Sequence, residues 1–202
     1  AAALVSFGAG ADMATFSGVI AAASIYGGTG ADSLSFTGSG AVASGATIDQ
    51  GTGNDSLFFG TGRNLTATTL TGSGADTFNL QGQNTVVFSA LATDASQVSF
   101  GANNDMATFS GAVSAGSIYG GVGADTLDFD GAVGAATIDA GDGTDSLNFS
   151  GAVAGARISG LYGADVAIFS ATSSNTALFN TDIGAAALVS FGAGADMATF
   201  SG

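Results

Sequence analysis

Nine aspartates recur along this chain at near-regular intervals: Asp12, Asp32, Asp55, Asp76, Asp105, Asp125, Asp145, Asp165 and Asp196. Successive spacings are 20, 23, 21, 29, 20, 20, 20 and 31 residues. In most of these turns glycines stand four and two residues ahead of the Asp: Gly8 and Gly10, Gly28 and Gly30, Gly51 and Gly53, Gly72 and Gly74, Gly121 and Gly123, Gly141 and Gly143, Gly192 and Gly194. Glycine permits positive φ and close backbone approach, which lets carbonyl oxygens turn inward beside the carboxylate. Such hard oxygens suit Ca2+, which takes six to eight of them at about 2.3–2.6 Å. One turn cannot supply that many, but two stacked turns can. The pattern therefore predicts one calcium ion between neighbouring turns, shared by two Asp. The competing reading is turn chemistry alone, with each Asp accepting backbone N–H groups. A bare column of carboxylates about 4.8 Å apart repels itself, however, and an external cation is the simpler remedy.

The rest of the composition narrows the chemistry. The 202 residues hold two basic side chains, Arg63 and Arg157, against sixteen acids, all Asp. Lys, Glu, His, Cys, Pro and Trp are absent, and the net charge is -14. Without His or Cys there is no zinc site, thiol nucleophile or Ser-His-Asp relay. Without Lys there is no Schiff base and no phosphate-binding loop of the GxxxxGK type. The charge repels nucleic acid and anionic lipid. Asp128 and Asp130 share an exposed face by alternation and read as solvated, so the chain is expected not to be an enzyme in itself. Hydrophobic residues make up 46% and mean hydropathy is +0.45, which argues against disorder. No apolar run approaches the roughly 18 residues of a membrane span, so no membrane insertion is expected.

The elements that position the acids follow from other columns in the same register. Four residues after each Asp stand Phe16, Phe36, Phe59, Leu80, Phe109, Phe129, Phe149, Phe169 and Phe200. Two residues after it lie Ala, Leu or Phe, and seven before it lie Val or Ile, with a one-residue slip at Thr69 and Leu70. Ala, Gly or Ser stands nine before, as at Ala23, Ala46, Ser96, Gly116 and Ala136. Spacing of two marks half-buried strands, and abundant Gly excludes helix. The fold class predicted is all-β: a parallel β-solenoid, or β-roll, with rungs of about 20 residues and two short strands per rung. A Phe ladder would line its interior.

The turns resemble the RTX family of calcium-binding repeats, whose pattern is G-G-x-G-x-D-x-U-x. Residues 27–35 (GGTGADSLS) and 120–128 (GGVGADTLD) match it in full; 51–59, 72–80 and 141–149 match apart from the leading Gly. The resemblance implies a parallel β-roll with calcium as its cofactor. It implies Asp32, Asp55, Asp76, Asp125 and Asp145 as ligands with the glycines before them, joined by Asp12 and Asp196. Asn103 replaces a glycine before Asp105 but tolerates positive φ. Leu161 replaces one before Asp165, which weakens that turn. The family repeats every nine residues with calcium turns on both edges, whereas alternate turns here lack Asp.

Residues 1–18 recur unchanged at 185–202, a period of 184 residues. The expected organisation is one block at 1–93, a second at 94–184, and the start of a further copy at 185–202. The 29-residue step carries an extra piece, 83–94. It reads either as an added strand and turn, moving the later Asp to the opposite edge until Asp196 returns, or as one enlarged rung. An unbroken array suggests an extracellular or cell-surface structural protein, a surface layer, sheath, fibril or adhesin stalk that self-associates into a filament or lattice. The alternative is the repeat region of a secreted enzyme whose catalytic domain lies elsewhere. Asn54, Asn64 and Asn148 head glycosylation-type triplets. Arg63 is expected in an outer turn, and Arg157 beside inward Ile158 is expected to point out.

Overall fold

The computed structural model describes residues 3–20, 23–38, 45–90, 96–172, 174–180 and 183–201. Alternating residues in four-residue stretches such as Ser33–Phe36 bury Leu34 and Phe36 and turn both serines outward. One such strand cannot cover its own apolar face, so it pairs in register with the strand one rung away. Leu34 thus faces Leu57, and Phe36 faces Phe59.

Repetition of that rule builds a parallel β-solenoid with two ten-stranded sheets. The first sheet runs through Ala3–Ser6, Ala23–Tyr26, Thr47–Thr52, Leu65–Ser73, Asn84–Ala90, Met106–Phe109, Thr126–Phe129, Ser146–Phe149, Val166–Phe169 and Leu188–Phe191. The second runs through Met13–Phe16, Ser33–Phe36, Ser56–Phe59, Thr77–Leu80, Ser96–Phe100, Gly116–Tyr119, Thr137–Asp139, Ala154–Ser159, Thr176–Phe179 and Met197–Phe200. The corners are laddered too. Ala9, Thr29 and Thr52 bridge along one edge, and Val113, Val133 and Val153 bridge along the same edge farther on. Val122–Gly123 pairs with Asp142–Gly143 on the other.

The 29-residue step is an added strand. Asn84–Ala90 joins the first sheet, so every later segment exchanges sheets. The strand after Asp76 lies in the second sheet, whereas the strand after Asp105 lies in the first. Thr176–Phe179 makes the same half-turn before Asp196 and restores the original phase. Residues 91–94 of the extra piece lie outside the described residues. Segment 185–202 places its strands in the same two sheets as segment 1–18.

The aromatic core records this exchange. Phe16, Phe36 and Phe59 stack in the second sheet, with centroids 4.7 and 4.2 Å apart. Phe88 begins a second stack in the first sheet, continuing through Phe109, Phe129, Phe149, Phe169 and Phe191 at 4.6–4.9 Å. At the handover Phe78 meets Phe88 edge-on, 5.2 Å away. Rung four reads Thr77-Phe78-Asn79-Leu80, the reverse of its neighbour's Leu57 and Phe59 order, and that swap brings Phe78 to the crossing.

Arg157 is exposed as expected, but Arg63 is fully buried. It stands four residues after Phe59, where Val113, Val133 and Val153 fill other corners after their own Phe. Its Nε donates to the Thr37 carbonyl oxygen at 3.0 Å and its Nη2 to that of Phe16 at 3.3 Å. Main-chain carbonyls where rungs turn thus meet Nε and Nη2 from within, while Nη1 has no partner.

Candidate metal centre

Each Asp ends a glycine turn and precedes a strand, so its side chain falls on the same inward face as the residues two and four later. Asp32, Asp55, Asp76, Asp105, Asp125 and Asp145 are each 2% exposed, and Asp165 is 1% exposed. Asp12 and Asp196 are half-buried. The acids form two columns. Asp12, Asp32, Asp55 and Asp76 line one edge, and Asp105, Asp125, Asp145 and Asp165 the other, because the added strand intervenes. Asp196 falls back on the first edge.

Within a column the acids are linked directly. Asp12 N–H donates to Asp32 Oδ1 at 2.8 Å, Asp32 N–H to Asp55 Oδ1 at 2.7 Å, and Asp55 N–H to Asp76 Oδ1 at 3.0 Å. On the other edge Asp105 N–H donates to Asp125, Asp125 to Asp145 and Asp145 to Asp165 at 2.7–2.8 Å. One carboxylate oxygen per residue therefore serves the neighbouring rung, not its own turn. Sequence columns missed the polar residues that extend these ladders. Ser96 Oγ accepts from Asp76 N–H at 3.2 Å. Asn84 donates from its main chain and from Nδ2 to Asp105 Oδ1, at 2.6 and 2.9 Å. Asn175 donates likewise to Asp196 Oδ1 at 2.8 Å. Both Asn stand 21 residues ahead of their Asp, a rung length that would have found them.

The other oxygen is the chemically open one. Oδ2 of Asp12, Asp32, Asp55, Asp105, Asp125 and Asp145 is buried with no hydrogen-bond partner. Asp165 differs: its Oδ2 accepts Gly163 N–H at 2.8 Å, so the corner that carries Leu161 satisfies its own carboxylate. Burial chiefly, opposed by the rung-to-rung hydrogen bonds, pushes Asp76 and Asp145 up to about 6 and Asp105 up to about 7. Asp55 and Asp125 are raised for the same leading cause. An unpaired buried carboxylate is costly, and either a proton or a cation relieves it.

The glycines have a steric role between rungs. Gly53 has φ +139°, and a Cβ there would collide with the carbonyl oxygen of Gly30 one rung away. The same clash recurs between Gly123 and Gly143 on the other edge. Gly8, Gly72 and Gly192 lack positive φ, unlike the other predicted turn glycines. Asn103 takes φ +106° in the place of a glycine. The Gly28 and Gly121 carbonyl oxygens already accept N–H groups from Thr52 and Asp142, at 2.9 Å each.

Among the described residues no three acidic side chains converge closely enough to hold a metal by themselves. The donors that fit calcium are instead the orphaned Oδ2 atoms of Asp12, Asp32, Asp55, Asp105, Asp125 and Asp145, with main-chain oxygens of the same turns as the other candidates. Carboxylate and carbonyl oxygens are the donor set of a hard cation, and the orphaned atoms repeat over three consecutive rungs on each edge. No known family model, characterised protein or solved structure matches this chain.

Proposed function

We propose that this chain is a calcium-stabilised structural repeat protein of the cell exterior, a stiff β-solenoid segment of a surface layer, sheath, fibril or stalk. One observation carries the reading: a column of buried carboxylates in which Oδ2 after Oδ2 has no partner. Such a column is strained in the bare protein and relaxed when divalent cations lie along it. Extracellular fluid supplies calcium at the millimolar level that weak oxygen sites of this kind require.

The role of the chain's own residues is mechanical. Asp Oδ1 clips each rung to the next, the Phe stacks fill the interior, and the glycines let the corners approach. When bound, calcium would supply positive charge to the oxygens left open by Asp12, Asp32, Asp55, Asp105, Asp125 and Asp145. The role proposed is structural, and self-association of such rods is the proposed route to a filament or lattice. No helix of the described residues is long and apolar enough to cross a membrane.

Far-UV dichroism and electron microscopy, with calcium and after chelation, test the reading. Loss of β signal and of ordered assemblies on chelation, restored by calcium, supports it. Unchanged spectrum, unfolding temperature and morphology, with no calcium retained, overturns it.

A further inference from the structure

The polar side chain that the corners leave least satisfied is not an aspartate. Gln50 lies in the strand Thr47–Thr52, where alternation with Ile48 turns it inward. It is 0% exposed, and neither Oε1 nor Nε2 has a hydrogen-bond partner. Burying an amide without partners is costly. Five residues ahead of the Asp, other corners carry apolar residues such as Phe7, Gly27, Phe100 and Ala140. In the next rung Thr71 pairs with outward Asp49, and the register slip brings Gly72 to the corner.

Glycines flank Gln50 on both sides. Gly27 packs on the Gln50 carbonyl oxygen, and Asp32 Oδ2 is 3.1 Å from where a Gly27 Cβ would stand. A Cβ on Gly72 would stand 3.4 Å from Gln50 Cβ and would press against Asp76 Oδ2. Side chains at either position would fill the space that this amide and the carboxylates share. The unpartnered Gln50 amide is thus enclosed in the corner of Asp55, with the Asp32 and Asp76 carboxylates close to the residue on its two sides.

We infer that Gln50 supplies a neutral side-chain oxygen to a calcium ion in this corner and makes it the tightest site of the chain. The inference rests on the calcium reading above. An amide oxygen is a donor of the kind calcium takes, and it adds a ligand without adding to the repulsion of the carboxylate column.

Calorimetric titration of the full chain with calcium chloride tests this, comparing wild type with Gln50→Leu and Gln50→Ala. Ala is the residue that the corner of Asp145 carries, which guards against a variant that fails to fold. Both variants should weaken the tightest site at least about tenfold and leave the remaining sites in place. Unchanged affinity in both variants overturns the role of Gln50 while calcium in the corners stands. Equal destabilisation with calcium and with chelator makes Gln50 a packing residue and overturns it as well. A wild type that takes up no calcium removes the calcium reading and this inference together.

Discussion

Replacing Asp105 by Asn changes one charge at a corner and almost no volume, and its effect should reverse sign with calcium. Asp105 is 2% exposed, and burial raises its pKa from 3.8 to about 7. The folded state therefore holds a proton there that the unfolded chain releases. In the metal-free protein this contribution to stability is full below about pH 4, falls as pH rises, and is lost above about pH 7. Holding the carboxyl near 7 corresponds to at most about 4 kcal/mol against the charged form at about pH 8, because partial solvent access screens it. Asn cannot ionise and so avoids that penalty, but its Nδ2 in the place of Oδ2 is a buried donor costing about 1–3 kcal/mol. Asp105→Asn should then stabilise the metal-free protein by roughly 1–3 kcal/mol at about pH 8, which is about 2–12 °C for a domain of this size. In excess calcium the same variant should be the less stable of the two, because it has lost an anionic ligand. Thermal unfolding followed by far-UV dichroism, in chelator and in calcium, reads both signs. Equal destabilisation under both conditions would refute the reasoning, since it would mean that the buried carboxylate carries no unrelieved charge.

Four other outcomes follow from the packing. Phe36→Ala removes a fully buried ring stacked on Phe16 and Phe59 and should cost about 3–5 kcal/mol in chemical denaturation. Gly53→Ala meets both φ +139° and the Gly30 carbonyl, whereas Gly62→Ala meets only φ +81° and open space; the first should cost over 2 kcal/mol and the second about 1. Arg63→Met keeps the stem volume of a buried cation whose Nη1 has no partner, so it should be neutral or stabilising, while Arg63→Ala should cost about 2–5 kcal/mol for the cavity. Metal-free wild type should lose stability between about pH 4 and pH 7, through Asp76, Asp105 and Asp145; a flat profile there would show that these acids are not desolvated.

Much of the architecture is legible in the chain because a two-residue period admits one inward face. The columns around Asp32 or Asp125 therefore state strand, face and register together. The 29-residue step left two architectures open, since an added strand and a longer loop both absorb the same residues. The stack of Phe88 on Phe109 decides for the strand. The corners were less legible. A column shows which way Asp32 points but not that its Oδ1 meets the N–H of Asp12, which depends on how closely two rungs approach. Gln50 reads as a departure from a glycine pattern; alternation with Ile48 turns it inward, but its full enclosure and lack of partners appear only in the structure. A lone charge reads as surface, yet Arg63 is buried, and its offset from Phe59 matches that of Val133 from Phe129.

The central claim is that cations sit against the open carboxylate oxygens inside the corners. Anomalous diffraction from crystals grown in calcium reads that position directly. The account predicts peaks along both edges, next to Oδ2 of Asp32 and Asp55 on one and of Asp105, Asp125 and Asp145 on the other, and none at Asp165. Corners without peaks, with those oxygens bonded to protein or water alone, would contradict it.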